Sequence, residues 1–308
     1  MSSKMFKYVG KRLLLAVVTL LIIITLTFFI MHAVPSSPFI KQKALTQSVI
    51  DALNAKYGLD KPLGEQYLIY LKNIVQFDFG DSIYYKGRGV MELILDGFKS
   101  SAVIGLSAAA LALVLGVVLG CVAALKRGKW VDKTILVVTT ASVSLPSFVI
   151  ATILLWLFCV NWKIFPSRGD TFAGLILPII ALSLYPASYI TRLMRSSMLD
   201  VLGQDYIRTA NAKGVKKGKV IFKHAMKNAL TPVITYAGPM IAYIVTGSFV
   251  VEKIFSIGGL GKYFVDSIQN SDYTMIMGTT IFLSMLMILM NLISDVLYKV
   301  LDKRVDFS

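Results

Sequence analysis

The feature that most constrains this chain is a set of six stretches long and apolar enough to cross a bilayer, which takes about 20 residues. They are Leu13–Val34, Ser101–Leu125, Thr134–Val160, Gly174–Thr191, Ala229–Val251 and Met275–Tyr298. The expected fold is therefore all-α and polytopic, with six transmembrane helices and both termini on one side. The 308 residues are 56% hydrophobic and only 16% charged. A soluble domain of that length would need more charge to cover its surface. The first stretch follows Lys4, Lys7, Lys11 and Arg12 as a signal peptide would. Its apolar run exceeds an h-region and no small-residue cleavage site follows, so it reads as a retained helix.

The net charge of +15 invites a nucleic-acid reading, and its distribution removes it. With the N-terminus inside, the inner segments are 1–12, 126–133, 192–228 and 299–308, and they hold 20 of the 32 Lys and Arg. Acidic residues split the other way: five lie inside and 11 outside, and Asp295 falls within a span. Nearly all of the positive charge thus sits at one face, as the positive-inside rule expects of a cytoplasmic side. Nucleic acid is not an expected partner, and membrane lipid is.

Several features specify packing rather than chemistry. Cys121 and Cys159 both lie in apolar spans and read as small hydrophobes. No clustered His/Cys set suggests a metal. In the second span Ala108, Ala112, Gly116, Gly120 and Ala124 recur at every fourth position, a ridge that lets another helix come close. Pro146, Pro178, Pro186, Pro232 and Pro239 interrupt the third to fifth spans and favour kinks. Gly238–Pro239, near the middle of the fifth span, is the best candidate for a bend or hinge lining a pathway. Between the first two spans, Pro35–Lys99 is too long for a plain connection and reads as a docking or covering segment. Helices are expected there over Gln47–Tyr57 and Gly64–Val75, the second amphipathic through Tyr67, Leu68, Leu71 and Val75.

No coupling ion or catalytic site is visible. The first five spans carry no charge in their middle, whereas ion-coupled carriers usually keep one there. Asp295 lies near the inner end of the sixth span, close to Lys299, and reads as a structural ion pair. Gly258-Gly259-Leu260-Gly261-Lys262 lacks P-loop spacing and the following Ser/Thr. A bundle of this kind is either a passive pore or driven by a partner.

The longest inner loop, 192–228, is well patterned. Gln204–Lys213 is expected to be a short helix stopped by Gly214. Tyr206, Ile207, Ala210 and Gly214 lie near one face, suiting a knob that enters a cleft on a cytoplasmic partner. A second helical run, Lys216–Leu230, feeds the fifth span. The alternative is a basic loop lying on anionic head groups.

Here the chain resembles a family. Arg208-Thr209-Ala210-xxx-Gly214 is similar to the EAA loop (Glu-Ala-Ala-xxx-Gly) of type I ATP-binding-cassette importer permeases. Asp205 through Ala210, Lys213-Gly214 and His224 through Leu230 resemble the version in the dipeptide/oligopeptide/nickel branch. Arg208 and Thr209 replace the Glu and first Ala, and Met226-Lys227 stands where Leu-Pro is general. Tyr57-Gly58-Leu59-Asp60-Lys61-Pro62, Phe77 through Ser82, Glu252-xx-Phe255-Ser256-xx-Gly259-Leu260-Gly261, Asp272-Tyr273 and Asp295-xxxxxx-Asp302-Lys303-Arg304 resemble the B-type permease. Two departures are Pro35-Ser36-Ser37-Pro38 for Pro-Gly-Asp-Pro and Gly258 for Pro.

The resemblance implies a multi-pass permease subunit in a prokaryotic cell membrane, with no cofactor of its own. Its implied partners are a second, non-identical permease subunit, two ATPase subunits that bind ATP and Mg, and an extracellular substrate-binding protein. Asp205, Tyr206, Arg208, Thr209, Ala210 and Gly214 would contact the ATPases. The implied cargo is short peptides, with nickel or a metal chelate as the alternative within the family. A stand-alone channel or ion-coupled carrier is the alternative outside it. The expected parts are 1–95 (first span and outer segment), 96–300 (five-helix core with the coupling loop 203–230) and a 301–308 tail.

Overall fold

The computed structural model describes residues 3–33, 47–246 and 249–301. In chain order the helices are α1 Ser3–Ala33, α2 Gln47–Tyr57, α3 Leu63–Val75, α4 Val90–Leu125, α5 Trp130–Ser144, α6 Ser147–Leu154, α7 Phe172–Leu202, α8 Asp205–Ala212, α9 Lys217–Lys219, α10 Met226–Ala229, α11 Thr231–Val245, α12 Phe249–Ile254, α13 Leu260–Gln269 and α14 Tyr273–Leu301. Two wider π-helical stretches, Leu155–Asn161 and Val220–Ala225, continue α6 and join α9 to α10. Pro35 to Pro38, the side chain of Asp295, and Asp302-Lys303-Arg304 lie outside the described residues.

Among those residues four helices are long and apolar enough to cross a membrane: α1 over Gly10–Ala33, α4, α7, and α14 over Tyr273–Ile293. Two bent pairs raise the number to as many as six. The expected span Thr134–Val160, with a kink expected at Pro146, is one of them: Trp130–Ser144 and Ser147–Asn161 meet at 102°. Pro146 has no N–H to donate and pushes Leu145 into extended backbone, so α5 ends there instead of kinking. The second pair, Lys217–Ala229 and Thr231–Val245, bends by 50°. That break falls at Leu230, and α11 runs unbroken through Gly238 and Pro239. Pro232 sits in its first turn, where a missing donor matters little. Pro178 and Pro186 likewise lie within a continuous α7. Helix α7 also runs past the expected span end to Leu202, because Leu193, Met194, Met198 and Leu199 keep the helical period of a buried face. The expected loop 192–228 is shortened accordingly.

The chain divides into two compact units, Met1–Ser100 with Gly258–Ile288, and Ser101–Ile257 with Leu289–Ser308. Residues 258–288 thus group with the first hundred.

In the first unit α3 packs on α1 through aromatic groups. The rings of Phe28 and Tyr70 stack at 5.5 Å, and Thr25 and Tyr67 share a hydroxyl hydrogen bond of 2.7 Å. The inward face of α3 is Tyr67, Tyr70, Leu71 and Ile74, at helical spacing, while Leu68 and Val75 are exposed. Ile74, Phe79, Val90, Leu93, Ile94, Leu260, Met275 and Ile281 form the core. Asp272, fully buried, ties the outer segment to the start of α14. It accepts from Ser82 Oγ, the Ile83 and Tyr84 amides, Thr274 Oγ1 and the Met275 amide. Five donors on one carboxylate offset its removal from water. Nearby, Tyr85 donates to Asp266 at 3.2 Å, and burial followed by that carboxylate pushes the phenol above its ordinary range.

In the second unit α4 lies along α7. Ala108, Ala112, Gly116, Gly120 and Ala124 are all buried. A Cβ on Gly116 would sit 2.5 Å from the Ile190 Cβ, and one on Gly120 would sit 2.7 Å from the Met194 Cβ and the Thr191 carbonyl oxygen. The backbones are as close as glycine allows. Elsewhere in this unit the buried Ser101 hydroxyl donates to Glu252 at 2.8 Å, fixing α12 against α4.

Candidate functional site

The candidate coupling site is the α8 segment of the second unit. Gln204 enters in extended backbone, Asp205 places a negative charge in the first turn, and the helix lasts eight residues. It closes with paired bonds: the Val215 amide reaches the Ala210 carbonyl at 3.2 Å and the Gly214 amide the Asn211 carbonyl at 3.0 Å. This is the Schellman closure, which needs a left-handed residue, and Gly214 supplies it with φ +72°. Val215 and Ala210 supply the accompanying apolar contact as they pack on the same core.

A helix this short is marginal alone, so packing must hold it. Ile207 is the anchor. It is buried among Met194 and Met198 of α7 and Val220, Ala225 and Ala229 of the following stretch. The π turn over Val220–Ala225 swings residues five apart toward one face, which lets Val220 and Ala225 bury together. Above this core the Asn228 side chain donates to the Tyr206 hydroxyl at 2.8 Å.

The expected single face therefore separates. Ile207 and Ala210 turn toward the protein's own core, and Tyr206 and Gly214 are exposed with Asp205, Arg208 and Thr209. Helical spacing alone does not say which edge of a stripe meets the core. Arg208 and Asp205 approach at 3.5 Å, an open pair that leaves both groups available.

An ion pair absent from the sequence expectations fastens α5 to α7. Arg195 donates to Asp132 through Nε at 2.7 Å and Nη2 at 2.8 Å, and the Gly128 amide adds a third bond at 2.9 Å. Asp132 is 2% exposed. The fork fastens the start of α5, and the turn before it, to α7 about two turns short of its end. Both residues fall in expected inner segments, where charges are ordinarily solvated. Among the described residues no group of three or more His, Cys, Asp or Glu side chains could hold a metal.

Comparison with known proteins agrees with this architecture. Residues 116–307 match the family model described as "Binding-protein-dependent transport system inner membrane component", and residues 5–87 match the model for its N-terminal part. The chain is 46% identical to "Dipeptide transport system permease protein DppB" of Bacillus subtilis over 302 residues, 98% of each chain. It is 40% identical to "Oligopeptide transport system permease protein OppB" of Haemophilus influenzae, covering 98% of this chain and 100% of that one. A solved structure, "Inward facing conformations of the MetNI methionine ABC transporter", has a chain that aligns with a TM-score of 0.55 at 17% identity, over 69% of this chain and 97% of its own. That likeness concerns the fold, which is the type I importer permease fold. The chain belongs to the binding-protein-dependent transport system inner membrane components, and is a membrane permease subunit rather than an enzyme.

Proposed function

We propose that the chain is one permease subunit of an ATP-driven importer and forms half of the translocation path for short peptides. An external binding protein delivers them, a second permease subunit supplies the other half, and two ATPase subunits supply the energy. The near full-length likeness to proteins named dipeptide and oligopeptide permeases supports the cargo. The charge asymmetry supports placing both termini and α8 in the cytoplasm.

The observation that carries the reading is α8 itself: a short helix with a rigid, buried base and an exposed outer edge of Asp205, Tyr206, Arg208 and Thr209. A helix built in this way transmits force. When ATP closes the ATPase dimer, an element seated in it is carried along, and its base moves α7 and the Lys217–Ala229 stretch together. Alternating access then follows as a shift between two global states. Gly238 and Pro239, where α11 already lacks a hydrogen bond, are the candidate hinge in that motion.

Gly214→Arg tests the role. A Cβ there meets nothing within 4 Å, so the internal cost is about 1 kcal/mol for the left-handed backbone. The variant should insert and fold, while uptake is lost and ATP hydrolysis no longer responds to loaded binding protein. Uptake at the normal rate would remove α8 from the mechanism.

A further inference from the structure

Half of the most apolar stretch of α7 is buried within the chain, and what the helix leaves open is unusual for a membrane span. From its middle toward its inner end the exposed or half-exposed stripe is Tyr185, Tyr189, Arg192 and Ser196, at spacings of four, three and four. Tyr185 is 47% exposed and Tyr189 42%. They flank the centre of the helix Phe172–Leu202. Tyr236 of α11 lies against Tyr189 with ring centroids 4.4 Å apart. The open side of α11 continues in the same character with Thr231, Thr235, Pro239 and Tyr243.

Hydrocarbon is a poor cover for this stripe. Tyrosine sits well at the two interfaces of a membrane, where its hydroxyl is wet, and poorly at mid-depth facing lipid. Among the described residues the Tyr185 and Tyr189 hydroxyls have no hydrogen-bond partner, and the Arg192 guanidinium, just past the inner end of the expected span, has no ion-pair partner. The lipid-compatible faces of this chain look different: Leu14, Ile22, Leu26 and Ile30 on α1, and Val114 and Val118 on α4. A dry contact with another helix is also a poor match. Close packing in membranes uses small residues, as the α4 ridge does, whereas two tyrosines and an arginine hold a neighbour away.

We propose that Tyr185, Tyr189, Tyr236 and Arg192 line the water-filled translocation path and contact the peptide in transit. The chemistry suits an extended peptide of variable side chains. Ring faces accept apolar groups, hydroxyls exchange hydrogen bonds with amides, and the arginine offers a partner to a free carboxylate. This rests on the importer reading above and deepens it by assigning the lining.

The test uses the assembled transporter in nanodiscs, with Cys121→Ala and Cys159→Ser as background and single cysteines at Tyr185, Tyr189, Ile22 and Val118. A charged, membrane-impermeant methanethiosulfonate is applied in the nucleotide-free state and in the ATP-plus-vanadate state, and labelling is read by mass, so no variant needs to transport. Cysteines at 185 and 189 should react about tenfold or more faster than those at 22 and 118 in at least one state, as water access to only one face requires. Excess peptide substrate should slow the reaction at 189, and full modification there should block uptake in a variant that transports. Equal, slow reaction at all four positions in both states overturns the proposal, as does full modification that leaves uptake unchanged. Fast labelling that blocks uptake of a metal chelate, with no peptide carried, would refute the peptide cargo and leave the lining in place.

Discussion

Asp132 illustrates what one residue contributes to this fold. A carboxylate 2% exposed is several kcal/mol worse off than in water unless it is paired and hydrogen-bonded. The two-pronged Arg195 contact and the Gly128 amide meet that need and tie three segments at one point. Removing only one partner strands the other. Arg195→Gln should therefore destabilise the purified protein by about 3 kcal/mol, read as a lowered thermal midpoint in detergent. Asp132→Asn with Arg195→Gln should recover a large part of that loss, because neither site then carries an unpaired charge. Additive losses in the double variant would show that the two residues are not coupled. Gly214 is the opposite case: nothing packs against it, and its importance lies in a backbone angle. The glycine was legible from its place after an apolar-spaced helix. The ion pair was not, because its partners are 63 residues apart and each stands among basic residues that read as solvated loop.

At the scale of elements, α4 and α7 pack where only glycine fits at two positions. A Cβ at Gly120 would meet the Thr191 carbonyl oxygen and the Met194 Cβ at 2.7 Å, so backbone would have to shift. Gly120→Val should cost about 2 kcal/mol or more through overpacking. It should appear as reduced folded yield and a lower thermal midpoint, with Val118→Leu on the open face of α4 as the unaffected control. This contact was readable in advance, because five small residues in one register leave little else for that face to do. Prolines were less informative. Pro146 turns the chain by 102°, while Pro178 and Pro186 pass inside a continuous α7. The difference lies in tertiary support rather than local sequence: Pro178 and Pro186 are buried among the neighbours of α7, and the helix continues past the lost hydrogen bonds. For the same reason the inward face of α3 and the split of the α8 stripe between core and surface required knowledge of what lies beside each helix.

For the molecule as a whole, hydropathy was enough for the all-α class and for as many as six crossings, and the family motifs carried the rest of the assignment. Hydropathy did not indicate that residues 258–288 would group with the first hundred. That grouping depends on buried ties such as Asp272, whose donors come from Ser82, Ile83 and Tyr84, nearly two hundred residues earlier. In the proposed function the chain is a passive gate moved by a motor on other subunits. Its most direct test is peptide uptake into proteoliposomes carrying this chain with its co-purified partners. Uptake of a labelled dipeptide or short oligopeptide should require ATP on the α8 side, the binding protein on the opposite side, and the ATPase subunits together. Uptake by this chain alone, without ATPase subunits or ATP, would contradict it.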